Sequence, residues 1–302
     1  MISMVRKYQR GIALIQVLII AIVLTMLGIF INQSIREQVH VTSYIQGNLQ
    51  VDLLLESIEA ELLHSLLSHK RYKNDESDDV YVKNWNFFGK TFSPKAGVSI
   101  ELQDLSGLLS LNYFNSNVAL RLFQQLGREE ADIRVFFDSL KDWKDADDLK
   151  HLNGAESDYY QELGLQRPRN GYLQSVEEVI NVRGGDILTI NQWQKFFSIS
   201  LVSKFNPMNA PDEVLRAFLD NDGIWQQILE LRKSNQLTLL SFYKLAGIEE
   251  DEAITFSTGK LIRIKIAVET ESNQLSKSFL VELRPNSTKR PVIFSNVRWN
   301  EM

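Results

Sequence analysis

The chain contains no cysteine in 302 residues. Disulfide staples, thiolate catalysis and zinc-thiolate sites are therefore excluded, and an exported domain built from it must rest on packing or on a metal. The strings that announce common catalytic machinery are missing too. There is no G-x-S-x-G, no H-E-x-x-H and no phosphate-cradling P-loop, and His40, His64, His69 and His151 show no metal-ligand spacing. His64 and His69 read as helix-surface residues, and no nucleophile has a convincing base, so an enzyme is not expected. Basic residues are outnumbered by acidic ones, 33 to 38, which argues against nucleic acid as the main partner. Charge of either sign is also absent from residues 11–31, GIALIQVLIIAIVLTMLGIFI.

That uncharged run is what the chain is organised around. Its roughly 20 apolar positions reach about 30 Å as a helix, the hydrocarbon thickness of a bilayer. Arg6, Lys7 and Arg10 precede it, so the basic bias puts the N-terminus in the cytoplasm and the remainder on the far side. A cleaved secretory signal is the rival reading, but its apolar region is about 7 to 15 residues long and ends in a small-x-small site. Here the small residue, Gly11, stands at the front, directly after Arg10. This placement resembles the class III leader of type IV pilins and pseudopilins, which a prepilin peptidase cuts after the glycine. The resemblance implies a leader over residues 1–11 and a methylated mature terminus at Ile12. Most pilins carry Glu at the fifth mature position, where this chain has Gln16. An intramembrane carboxylate is costly unless paired, and the neutral Gln16 cannot pair with the terminal amine of a subunit above it. The departure suits a subunit with nothing above it, or a polar residue merely tolerated near a helix end.

Apolar residues Val39, Leu49, Leu53, Leu54, Ile58, Leu62, Leu63 and Leu66 continue a helical spacing. They predict one long helix from about residue 12 to about 69, or two helices meeting near Gly47. Residues 73–79 form a charged loop. Short β-rich pieces at 80–82 and 98–105 suit a small antiparallel sheet. Helices are expected at 116–126, capped by Ser116 and ended by Gly127, and at 129–141. Further on, 175–183 reads as a helix capped by Ser175, and 196–203 as a strand. The turn residues Asn206, Pro207 and Asn209 lead to a helix starting at Pro211. From 209 to 248 three helices, with a hairpin at 220–223, resemble tandem helix-hairpin-helix modules. In other proteins such modules hold DNA phosphates, but Asp220, Asp222, Glu249, Glu250, Asp251 and Glu252 would repel them. Alternating Leu261 to Val268 and Phe279 to Leu283 predict a hairpin, with 292–299 as an edge strand.

The strongest chemical signal outside the membrane run is the acidic stretch of residues 142–160, DWKDADDLKHLNGAESDYY. Asp145, Asp147 and Glu156 take positions 1, 3 and 12 of a calcium loop, but Leu149 and Lys150 occupy positions 5 and 6, so it is not an EF-hand. Acidity alone favours a plain solvated loop. The string Asp142-Trp143-x-Asp145-x-Asp147, followed by Gly154-Ala155-Glu156 and Tyr159-Tyr160, resembles the K-type minor pseudopilin of type II secretion. So do LSGLLSLNYF before it, SVEEVINVRG after it and FNPMNAPDEVL further on, in the same order along the chain.

That resemblance implies an α+β fold: a transmembrane segment at 12–31 within a long helix reaching about 69, packed on a small antiparallel pilin sheet. Residues 70–111 and 255–302 would supply the sheet, and 112–254 a large inserted α-helical domain too bulky for the interior of a fibre. It implies calcium held by Asp142, Asp145, Asp147 and Glu156, with Asp148 and Asp158 as further candidates. The implied function is a non-enzymatic tip subunit of the pseudopilus that initiates or caps assembly and aids export of folded proteins across the outer membrane. The implied partners are the I-type and J-type minor pseudopilins, the prepilin peptidase and the inner-membrane assembly platform. The protein would be a single-pass inner-membrane protein with its soluble part in the periplasm. The alternative is a membrane-tethered DNA receptor acting through the helix-hairpin-helix-like region.

Overall fold

A computed structural model of the chain describes residues 9–200, 204–270 and 273–300. Helix α1, Gln9–Ser68, runs unbroken through Gly47, so the long stretch is one helix of 60 residues. From Ala13 onward it is long and apolar enough to cross a membrane, and none of its most apolar window is buried. Gln16 is exposed on this part. Most of the expected leader lies outside the described residues, and of Gly11 and Ile12 only the helical backbone is described.

The second half of α1 packs on the protein through Val51, Leu55, Ile58, Leu62 and Leu66, all essentially inaccessible. Their three- and four-residue spacing puts them on one face, and each contributes about 1.5 to 3 kcal/mol by leaving water. Val39, Leu49 and Leu53 were expected in this stripe but are exposed. Val39 precedes the packed region, and Leu49 and Leu53 point to another side of the helix.

Residues 80–82 are not a strand. Helix α2, Val80–Asn84, forms there because Asp79 caps it, accepting hydrogen bonds from the backbone N–H of Tyr81 and Val82. Strand β1, Val98–Asp104, opens the sheet. The short β2, Leu109–Ser110, leads into α3, Ser116–Gln125, and α4, Glu130–Lys144. The cap of α3 is Asn115 rather than Ser116, since the Asn115 side chain accepts from Val118 N–H. Helix α5 spans Ser157–Glu162, and Glu177–Asn181 is a 3₁₀ helix within the stretch read as a helix.

The strand expected at 196–203 is shorter among the described residues. Helix α6, Ile190–Phe196, enters it with a Thr189 capping box, and only β3, Phe197–Ser198, is extended. Strand β3 pairs in parallel with β2. Residues 201–203 of that expectation lie outside the described residues. Helices α7, Asp212–Leu219, α8, Asp222–Lys233, and α9, Leu239–Ala246, follow as expected, with Gly247 in the left-handed conformation that ends α9. Strands β4, Leu261–Glu269, β5, Gln274–Leu283, and β6, Val292–Trp299, complete an antiparallel sheet in the order β1-β4-β5-β6.

Alternation in β4 buries Ile262, Ile264, Ile266 and Val268 against α1. A second core gathers α3 to α9 around Phe123, Phe136, Trp143, Trp193 and Phe197. The two cores join at Asp104, fully buried at the end of β1. Its Oδ2 accepts from Ser106 Oγ (2.6 Å), Asn209 Nδ2 (2.8 Å) and Gly259 N (2.9 Å). The chain thus leaves the sheet after Asp104 and returns beside the same carboxylate. Arg71, just past the end of α1, is at this end of the sheet, exchanging hydrogen bonds with Thr258. Gly47 of α1 lies against Asn273 at the opposite end.

Candidate metal centre

Helix α4 carries Asp142 and Trp143 on its buried side in the last turn, and Asp145 closes it by donating its N–H to Lys141 O (2.9 Å). The chain then folds back over that end. Asp142 Oδ1 accepts from His151 N (3.1 Å) and also meets the His151 ring at Nδ1. One turn earlier, Asp138 Oδ2 accepts from Asn153 N (3.2 Å) and Nδ2 (3.0 Å), so two carboxylates of α4 hold the returning segment. Gly154 makes this closeness possible, because a Cβ there would lie 1.9 Å from Asp142 Oδ2. No side chain fits in that position.

Asp142, Asp145 and His151 each offer a ligand atom within 4.8 Å of the others. Glu156 is only 7% exposed, and neither of its carboxylate oxygens has a hydrogen-bond partner, nor has Asp145 Oδ1. Burial first, and then the charges of Asp142, Asp145, Asp148 and Asp147, push the Glu156 carboxyl up to about 7. Burial, with Asp147 and Asp142, likewise raises Asp145, against the opposing pull of His151. Asp147 and Asp148 are exposed, and Asp147 Oδ1 accepts from Leu149 N (2.9 Å). Asp158 stands exposed in the first turn of α5. The structure therefore brings Asp142, Asp145 and His151 together, buries Glu156 near enough to feel the charge of both aspartates, leaves Asp147 and Asp148 on the rim, and sets Asp158 on the α5 surface.

Sequence spacing missed His151, since only the backward fold of the loop carries it onto Asp142. It also missed two residues of the 175–184 stretch. Glu178 accepts from Trp143 Nε1 (3.0 Å), and Arg183 Nη1 donates to Gly154 O (3.1 Å). Buried carboxylate oxygens without donors suit a hard cation that prefers oxygen ligands. An imidazole is not a usual ligand for such an ion, so at this site His151 acts as a hydrogen-bond partner of Asp142.

A family model described as type II secretion system, protein K, matches residues 101–200. A type II secretion system protein K from Klebsiella pneumoniae is 27% identical over 192 residues, which are 58% of this chain and 57% of that relative. The alignment thus spans little more than half of the relative's length. The crystal structure of the GspK-GspI-GspJ complex from enterotoxigenic Escherichia coli matches with a TM-score of 0.56, covering 86% of this chain and 99% of the compared chain. At 14% identity that match shows the fold. Together the findings support a K-type minor pseudopilin. The region shared with the protein K family contains the whole acidic loop and the 175–184 stretch that braces it.

The helix-hairpin-helix-like part of the chain gives the DNA reading no support. Arg232 is buried, donating to the carbonyls of Ala210, Pro207 and Met208 and to Asp212. Arg216 is engaged by Asp222 through two hydrogen bonds. Cations spent in this way do not face a phosphate backbone.

Proposed function

We propose that this protein is the tip subunit of a type II secretion pseudopilus, where it initiates or caps assembly with I-type and J-type minor pseudopilins. In that role it aids export of folded proteins across the outer membrane and works by assembly rather than catalysis. It is a single-pass inner-membrane protein with a cytoplasmic N-terminus and a periplasmic soluble part. Prepilin peptidase cuts after Gly11, Ile12 is methylated, and the mature helix passes to the assembly platform.

The observation that carries this reading is where α3 to α9 sit. The sheet end at Gly47 and Asn273 is nearer the membrane, and the helical rise puts Ser68 about 32 Å further along α1. The helical mass leaves the sheet at Asp104, beside Arg71 and Thr258, at that membrane-distal end. A subunit stacked above would meet it. The neutral Gln16, unable to pair with an amine above, agrees with the same position.

Counting copies tests the placement. Pseudopili of different lengths are expected to carry this subunit in constant number at one end, and a number that rises with fibre length would sink the proposal. The mass of the mature N-terminus checks the processing separately, since a methylated Ile12 is expected.

We further propose that Asp142, Asp145 and Glu156 hold calcium, with Asp147 the next residue able to join from the rim and Asp148 and Asp158 more remote. A bound calcium ion supplies the positive charge that the clustered carboxylates lack. The residues themselves do the shaping: Asp142 draws in His151, Asp138 holds Asn153, and Gly154 lets the returning segment approach. Isothermal titration of the full chain is expected to show calcium binding that Asp145→Ala weakens, and unchanged binding in that variant would remove Asp145 from the site.

A further inference from the structure

Stretch 175–184 lies under the acidic loop, and two of its charged residues, Glu178 and Arg183, take hold of the loop's two ends. At the first end, Glu178 is 8% exposed and accepts hydrogen bonds from Trp143 Nε1 (3.0 Å), Arg169 Nε (2.8 Å) and Gln174 N (3.0 Å). Burial opposes its charge, but the bonds from Arg169, Gln174 and Trp143 outweigh burial and hold its carboxyl below the usual value. Trp143 is covalently next to Asp142 and two residues before Asp145, so the indole fixes the helix end from which both carboxylates project. Asn170 N also donates to Trp143 O (3.1 Å), closing the same end from another side.

At the second end, Arg183 Nη1 donates to Gly154 O (3.1 Å) and its backbone N–H donates to Tyr160 Oη (3.0 Å). The guanidinium also lies 4.8 Å from the centre of the Tyr159 ring. Gly154 is where the returning segment touches Asp142, and Glu156 is two residues on. Between the two charged residues, Val179 and Val182 are buried in the helical core, and the 3₁₀ helix Glu177–Asn181 spans the gap. The separation of the loop's two ends is therefore braced from outside the loop as well as by the Asp142–His151 contact within it.

We propose that Glu178 and Arg183 are positioning residues for the calcium site: they hold Asp142 and Asp145 on one side and Glu156 on the other at binding distance before the ion arrives. The inference rests on the calcium reading. Its physical reason is repulsion. Asp142 and Asp145 lie close together at one end of the loop, Asp145 Oδ1 and both Glu156 oxygens have no donor, and Asp147 and Asp148 stand on the rim, so an unbraced loop of like charges would relax by spreading. A brace that forbids the spreading keeps the site assembled, and binding then costs less ordering. Glu178 can serve beside an acidic site because Arg169 neutralises it.

The test uses the full chain in detergent micelles. Calcium affinity is read by isothermal titration. Terbium, a hard-cation probe, is read by its luminescence, with Trp143 and Tyr160 as neighbouring antennae whose rings are 5.2 Å apart. Glu178→Gln and Arg183→Met are each expected to weaken calcium binding about tenfold or more, as loss of partners behind a metal's ligands commonly does. Arg183→Lys should recover part of the loss. Ile264→Val, which softens the distant sheet, should leave affinity unchanged, and circular dichroism should show every metal-free variant folded. Wild-type affinity in both Glu178→Gln and Arg183→Met would overturn the brace and leave the calcium reading standing. An equal loss in Ile264→Val would also overturn it, by showing general softening. A wild-type chain that binds neither calcium nor terbium would instead overturn the calcium reading, and the brace with it.

Discussion

The two cores are built on different principles. Between α1 and the sheet, aliphatic residues repeat: Leu55, Ile58 and Leu62 on the helix meet Ile262, Ile264 and Ile266 on β4. The contact is regular, so each residue resembles its neighbours and none is unique. The helical half is aromatic and irregular, with Phe123, Phe136, Trp193 and Phe197 packed edge to face, tilted and, between Phe123 and Phe197, stacked. Its short elements are tied by buried polar groups, among them Asp104, Asn112, Glu178 and Arg232. An apolar stripe tolerates small losses gradually. A buried polar tie fails abruptly when one partner goes, because the others are left unsatisfied.

That contrast is sharpest at Arg232. Arg232→Ala would strand three carbonyls and Asp212, and a loss of about 3 to 5 kcal/mol is expected, read from urea unfolding of the helical half. A loss below that of a single methyl group would break the comparison. Calcium removal should come next. At calcium a hundredfold above its dissociation constant, chelation is expected to cost about 2.7 kcal/mol and to lower the melting temperature of the wild type but not of Asp145→Ala.

Glu156 sharpens the comparison through pH. Its carboxyl lies near 7 in the folded state against 4.5 ordinarily, so the native chain holds that proton more tightly than the unfolded one. Without calcium, its contribution to stability is full below about 4.5 and is lost as pH rises through about 7. Glu156→Gln should flatten this dependence and leave the calcium-free chain more stable at neutral pH, while abolishing stabilisation by calcium. A thermal unfolding series across that pH range reads both. The smallest effect belongs to the regular core, where Ile264→Val is expected to cost about 0.5 to 1.5 kcal/mol in the same denaturation measurement.

Legibility followed the same divide. Strands β4 and β5 could be read because alternation in a half-buried strand has a period of two, and α1 because its apolar spacing has the period of a helix. Residues 80–82 misled because three β-rich residues carry no period, and the Asp79 cap decided for a helix. Residues 196–203 misled because α6, capped at Thr189, runs on to Phe196 and leaves only Phe197 and Ser198 to pair with β2. Of the acidic site, Asp142, Asp145 and Glu156 were visible as an unusual concentration of charge. His151, Glu178 and Arg183 were not, since they meet the loop through folds of the chain that no local spacing records.

What the sequence determined alone was local and repetitive: an uncharged run long enough to cross a bilayer, a helix that continues from it, an alternating hairpin and an acidic loop without cysteine. Those follow from solvation and periodicity, which act on neighbours in the chain. Tertiary structure decided which carboxylates converge, which residues brace them and at which end of the sheet the helices gather. Those are relations between distant segments, set where Asp104 joins the two cores and where Glu178 meets Trp143.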